Sequence, residues 1–204
     1  LSLTGYEPEL AEPLAFSPDD PRLLPLIKAA QEYHVYAVVG APIQTDAGIA
    51  IASVIISPTG NVSHYAKMHL HAGEEQFFVA GNTTKVIEVN QHKVALAICA
   101  DVNNAEHVAQ YAEQGVDAYV AGVLISASGY VANTEVLAGY AENHNMLVAI
   151  ANHNRSTGSW LATGKSAIWH DEDQLIVADA TEDVLLTAEK HDGKWLTSVV
   201  KVHV

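Results

Sequence analysis

Cys99 is the only cysteine in the chain, and it falls near the end of an unbroken apolar run, Lys93-Val94-Ala95-Leu96-Ala97-Ile98-Cys99-Ala100-Asp101. A run of this length, rich in Val, Leu and Ile, reads as a strand buried on both faces. Asn103 with Glu106 makes a capping-box-like start to a helix over 105–114, so Cys99 sits where a buried strand turns into a helix. That corner opens at the mouth of an α/β sheet, where sites in such folds usually lie. The chemistry a thiol offers there is nucleophilic. A free thiol with a pKa of about 8.5 is only slightly ionised at neutral pH, so it needs a base to act. A lone cysteine is also a common packing residue, and position alone leaves both readings open.

The second chemical stretch is His64 to Gly81. Lys67 ends a strand whose neighbours are apolar or small. A lysine leaving a buried strand end can act as a positioned cation. Glu74 stands near the aromatic pair Phe77-Phe78, where partial burial would tune a carboxylate. Taken singly, each also fits an ordinary surface charge. His64, His69 and His71 lie close together, but their spacing is no ligand pattern, and no metal or cofactor is expected. Gly164-Lys165-Ser166 looks like the tail of a phosphate-binding loop. Five residues separate Gly158 from Gly164 where that loop needs four, and a strand follows, so it is rejected.

These residues need a scaffold. An irregular loop is expected over 7–20, then a helix over 21–34 with Leu23, Leu26, Ile27, Ala30 and Tyr33 at helical spacing. Strands are expected at 35–39, closed by Gly40, and at 48–56 and 62–66 around the turn Ser57-Pro58-Thr59-Gly60. A second pair, 86–89 and 93–98, precedes the helix after Cys99, which should bury Ala105, Val108, Ala109 and Ala112 and end at Gly115. Further strands are expected at 117–121, 146–151, 167–169, 175–178, 184–188 and 195–202, with a helix over 134–145 turning Val136, Leu137, Tyr140 and Ala141 inward. Strands mixed with βα units suggest an α/β fold, its sheets covered by helices on one face and by another sheet on the other.

The 204 residues suit a single domain spanning 1–204. Hydrophobic content of 49% with 17% charged residues fits a globular chain with much buried sheet. A formal net charge of -14 argues against a nucleic-acid partner. No apolar run is long enough to cross a membrane, and a single cysteine suits a reducing, cytoplasmic compartment.

Five segments in order carry a specific resemblance: L-x-L-T-G-Y at 1–6, Y-A-K-M-H-L at 65–70, E-x-x-F-F-x-x-G at 74–81, V-A-L-A-I-C-A-D at 94–101 and A-N-H-N at 151–154, with G-K-S-A-I at 164–168. Together they resemble the nitrilase, or carbon–nitrogen hydrolase, superfamily. The resemblance implies a four-layer α-β-β-α sandwich, and hydrolysis of a small non-peptide C–N bond, amide or nitrile-like, through a thioester. It implies Cys99 as nucleophile, Lys67 as the cation and Glu74 as the supporting glutamate. The backbone N–H of Ala100 would join Lys67 in holding the oxyanion. Implied partners are a small amide or nitrile and a second copy of the chain, as a homodimer or higher homo-oligomer. In the family the general base is the glutamate immediately before the L-x-L-T-G-Y segment, one position upstream of Leu1. With no initiator Met, the chain is therefore expected to be N-terminally truncated and to lack the first strand-helix-strand portion. Ala100 stands where the family usually has an aromatic residue, which bears on substrate subclass. The competing readings are a catalytically silent member acting as a binding module or subunit, and an unrelated thiol transferase.

Overall fold

The structure, a computed structural model, describes residues 1–202. It divides into two compact units, Leu1–Lys85 and Val86–Val204.

The first unit is an antiparallel meander of β1 (Ala37–Thr45), β2 (Gly48–Ile56) and β3 (Val62–Ala66). Before it come a short helix α1 (Ala11–Leu14) and the longer α2 (Leu24–Tyr33). The central strand β2 is buried from Ala50 to Ile56, as its run of β-branched and small residues requires. Leu23 and Ala30 pack with Ala41, Ile43, Val54 and Ile56 into one core, with Leu26 and Ile27 at its margin. Asp20 caps the entry to α2, its carboxylate accepting Arg22 N–H at 2.9 Å. Tyr33 points outward at 68% exposure, because the helix ends there at His34 in the left-handed conformation.

Two expectations in this unit change. The first strand does not stop at Gly40 but runs on to Thr45 and pairs with all of β2. Gly40 is a slot within the strand: a Cβ there would lie 2.9 Å from the Leu1 nitrogen. Leu3 N–H donates to the Gly40 carbonyl at 2.9 Å, and Gly40 N–H donates to Ser2 Oγ at 2.8 Å. Segment 7–20 is not wholly irregular either. It holds a 3-10 turn at Pro8–Leu10 and α1, and Phe16 bridges to Ile43.

The second unit is built on a six-stranded sheet. In chain order it contributes β4 (Val86–Val89), β5 (His92–Ile98), β6 (Ala118–Val123) and β7 (Leu147–Asn152), then β10 (Ala167–His170) and β11 (Asp173–Val177). The small pair β8 (Ser156–Thr157) and β9 (Trp160–Leu161) interrupts them, and the hairpin β12 (Val184–His191) and β13 (Lys194–Lys201) follows. The spatial order is β11-β10-β7-β6-β5-β4. Strands β5, β6 and β7 are parallel and adjacent in chain order. They are joined by α3 (Ala105–Glu113) and α4 (Tyr130–His144). Right-handed crossovers progressing in one direction put both helices on one face of the sheet. Val108, Tyr111, Leu137 and Ala141 accordingly share a core with Ala95, Ala97, Tyr119 and Val148.

Several local expectations shift here. The cap of α3 is Asn104, not Asn103: its side chain accepts from Glu106 and His107 N–H at 3.0 and 3.2 Å. That one-residue rotation exposes Ala105 and buries His107 and Tyr111 with Val108. Helix α4 begins four residues earlier than expected, and Val136 faces outward at 41% exposure while Leu137 and Ala141 are buried. No helix among the described residues is long and apolar enough to cross a membrane.

Candidate active site

In the first unit, β3 delivers Lys67 one residue beyond its end. Lys67 N–H donates to the Ile51 carbonyl at 2.8 Å, and the Lys67 carbonyl accepts Gly81 N–H at 2.8 Å. The glycine of the 74–81 segment is thereby explained. A Cβ on Gly81 would sit 2.3 Å from the Ala66 carbonyl oxygen, so only glycine lets this return segment lie against the strand end.

The Lys67 side chain is 1% exposed and its Nζ lies 2.5 Å from Glu74 Oε2, a carboxylate 3% exposed. Glu74 is held in turn from two sides. Tyr6 hydroxyl donates to Oε1 at 2.9 Å, and His71 N–H donates to Oε2 at 2.6 Å. Buried ions are costly unless their remaining valences are filled, and those of Glu74 are filled by these two neutral donors. The 3-10 turn Glu74–Gln76 starts at Gly73, φ 95°, and Phe78 behind it is buried.

Sequence reasoning gave Tyr6 no role, because the 68 residues between it and Glu74 leave no periodic signal. His64, His69 and His71 do not gather into a site. No cluster of His, Cys, Asp and Glu able to hold a metal exists among the described residues.

In the second unit, Cys99 follows the carboxyl end of β5 and opens a 3-10 turn, Cys99–Asn103. It is partly exposed, and its φ is 47°. For a residue other than glycine this left-handed conformation costs on the order of 1–3 kcal/mol and persists where surroundings impose it. The surroundings are well tied. Tyr111 hydroxyl donates to the Leu96 carbonyl at 2.8 Å, Tyr140 hydroxyl to the Val102 carbonyl at 3.1 Å, and Asn104 N–H to the Asp101 carbonyl at 3.1 Å.

Asp101, fully buried, accepts Ile98 N–H on Oδ2 at 3.0 Å. Burial, and then the charge of Asp101, push the Tyr119 hydroxyl far above its ordinary pKa, so it stays protonated. Tyr119 and the buried His107 share a hydrogen bond of 3.0 Å. Ala100 follows Cys99 in the turn and is half-buried. The carboxylate of Asp101 was legible only as the end of a motif. Counting the cap from Ile98 rather than from Asn103 would have placed it at the reaching-back position of a capping box.

The neighbouring strand ends are equally fixed. Asn152, buried at the end of β7, accepts Ile125 N–H at 2.8 Å and donates to the Gly164 carbonyl at 2.5 Å. Its own N–H donates to Ser166 Oγ at 2.9 Å. A Cβ on Gly164 would meet the Ala180 carbonyl oxygen at 2.2 Å, so this glycine serves a close backbone approach and not phosphate. Burial lowers the pKa of His153 below the ordinary histidine value, and Arg155 acts in the same direction.

The cysteine thus lies, partly exposed, at the carboxyl end of a parallel strand in a mixed α/β fold, the kind of corner where such folds place their sites. The chain is a member of the carbon–nitrogen hydrolase family, whose model matches residues 1–190. Solved structures of similar fold include a variant amidase from Nesterenkonia sp. AN1 bearing the acetamide moiety of fluoroacetamide on its active-site cysteine. That match has a TM-score of 0.76 at 20% identity, covering 97% of this chain and 73% of that one. Another variant of the same amidase, in complex with butyramide, matches at TM-score 0.76 and 19% identity, over 97% and 73% of the two chains. Saccharomyces cerevisiae Nit3, of branch 10 of the nitrilase superfamily, matches at TM-score 0.77 and 17% identity, over 87% and 69%. No curated protein sequence matches the chain.

Proposed function

We propose that this carbon–nitrogen hydrolase cleaves a small amide through a thioester on Cys99, with Lys67 and Glu74 completing one site. The observation that carries it is the left-handed φ of 47° at Cys99, a partly exposed residue held in strain at the end of a buried parallel strand. Elsewhere in the chain this conformation ends helices, as at His34 and Asn145, with residue types that tolerate it; at a strand end, on a cysteine, such strain favours a functional corner over packing.

The Cys99 thiol yields its proton to a general base, the part that the family likeness gives to the glutamate before the L-x-L-T-G-Y segment. The thiolate attacks the amide carbonyl carbon, whose oxygen becomes an oxyanion held by Lys67 Nζ and Ala100 N–H. The C–N bond breaks, and the nitrogen leaves as ammonia or an amine carrying the proton. Water then attacks the thioester carbonyl, releasing the carboxylic acid and restoring the thiol. Glu74, bonded to Lys67 Nζ, keeps that cation in place and oriented. A nitrile would enter the same cycle through a thioimidate. The substrate class is supported by the amidase relatives, among them the one bound to butyramide.

The same reading has the protein in a reducing cytoplasm, supported by its single cysteine, and assembled as a homo-oligomer of the kind common in the family. The test is a panel of small aliphatic amides and nitriles, read by ammonia release with wild type and Cys99→Ala. Release with wild type alone supports the proposal. Equal release from both overturns it.

A further inference from the structure

We infer that Asp101 is a positioning residue for the thiol, its buried carboxylate holding the left-handed turn that presents Cys99. The inference rests on the reading of Cys99 as nucleophile. Ile98 keeps register with Gly122 of the neighbouring strand, yet its N–H goes to Asp101 Oδ2 at 3.0 Å. That bond closes a ring over Ile98 to Asp101, with Cys99 inside it. The tyrosine anchors grip the carbonyls of Leu96 and Val102, on either side of the corner. The Asp101 bond spans the strained residue itself.

Ile98 is itself buried, so its N–H needs an acceptor, and the one it has is a carboxylate buried completely, which is an expensive choice. A capping role alone would be met by Asn or Ser at a solvated position, as Asn104 does for α3. The buried acceptor is instead placed where relaxation of one φ angle would swing the sulfur. Attack on a carbonyl tolerates little such movement, a misplacement of about 1 Å costing on the order of 100-fold in rate. Asp101 acts here through the backbone, by its bond to Ile98 N–H.

The test compares Asp101→Ala and Asp101→Asn with wild type, each normalised to folded protein by circular dichroism. Asparagine offers a carbonyl oxygen at the same place and so retains the acceptor. Two readouts are taken: kcat and KM for butyramide, and the rate at which iodoacetamide labels Cys99 in the native protein. Asp101→Ala is expected to lower kcat about 10- to 100-fold with KM nearly unchanged, and to alter the labelling rate. Asp101→Asn is expected to restore most of both. An alanine variant with wild-type kcat and labelling overturns the inference, and so does an asparagine variant as impaired as alanine. If the alanine variant does not fold, the asparagine variant decides, since full activity supports the acceptor role and its loss refutes it. Cys99→Ala run in parallel separates the two readings. Turnover surviving without the thiol removes the nucleophile, whereas turnover lost there but intact in Asp101→Ala removes only the role of Asp101.

Discussion

The two units hold their chemical groups in opposite ways. In the first, Lys67 and Glu74 are charged, almost fully buried, and fixed by side-chain bonds from Tyr6 and from the His71 backbone. In the second, the partly exposed Cys99 is held by its backbone, in a left-handed corner imposed by a buried carboxylate and two tyrosines. An ion pair can be lost by changing one partner. A strained corner is lost by relaxing the frame around it. The contrast says where each half should be vulnerable.

The largest effect is expected from Cys99→Ala. It should remove turnover by on the order of 10⁴-fold or more, while thermal melting changes little, because the side chain is partly exposed. Amide hydrolysis and melting curves measure both. Lys67→Met comes next and strikes the other half. Leaving Glu74 buried without its cation should cost about 3–5 kcal/mol of stability, read by urea unfolding. The same variant should lower kcat by on the order of 100-fold in the folded fraction, if Lys67 Nζ holds an oxyanion. Tyr6→Phe sharpens the comparison at smaller scale. One neutral donor to Glu74 is removed while the ion pair stays, for about 1 kcal/mol of stability.

The smallest effect concerns the turn that leads into α2. The Arg22 side chain beside Asp20 lowers that carboxyl from 3.8 to about 2. A depressed carboxylate adds stability that is present above its unfolded pKa and lost as pH falls through the folded one. The melting difference between wild type and Asp20→Ala should therefore shrink between about pH 4 and pH 2, with turnover at neutral pH unaffected. Melting curves taken across that window measure it.

Much of this arrangement could be read from the sequence, and the reasons are particular. The apolar run ending at Cys99 fixes a buried strand, and five ordered segments point to the family. Lys67 and Glu74 stand seven residues apart on a strand end and the turn after it, and they do meet. Other features depend on contacts that leave no local trace. Gly40 looked like a strand end because glycine often is one, and only the chain lying beside it shows why the strand continues. The cap of α3 was misplaced by one residue since Asn103 and Asn104 are equally good candidates by type. Tyr6 and Asp101 acquired roles only once the fold brought their partners to them.

The central claim is that Lys67 serves the thiol of Cys99. It is tested most directly by quenching the reaction with butyramide in acid and locating the acyl group by mass spectrometry, in wild type and in folded Lys67→Met. The account predicts a butyryl thioester on the Cys99 peptide of wild type, forming on the order of 100-fold more slowly in the variant. An unchanged acylation rate in Lys67→Met, or an acyl group on any residue other than Cys99, would contradict it.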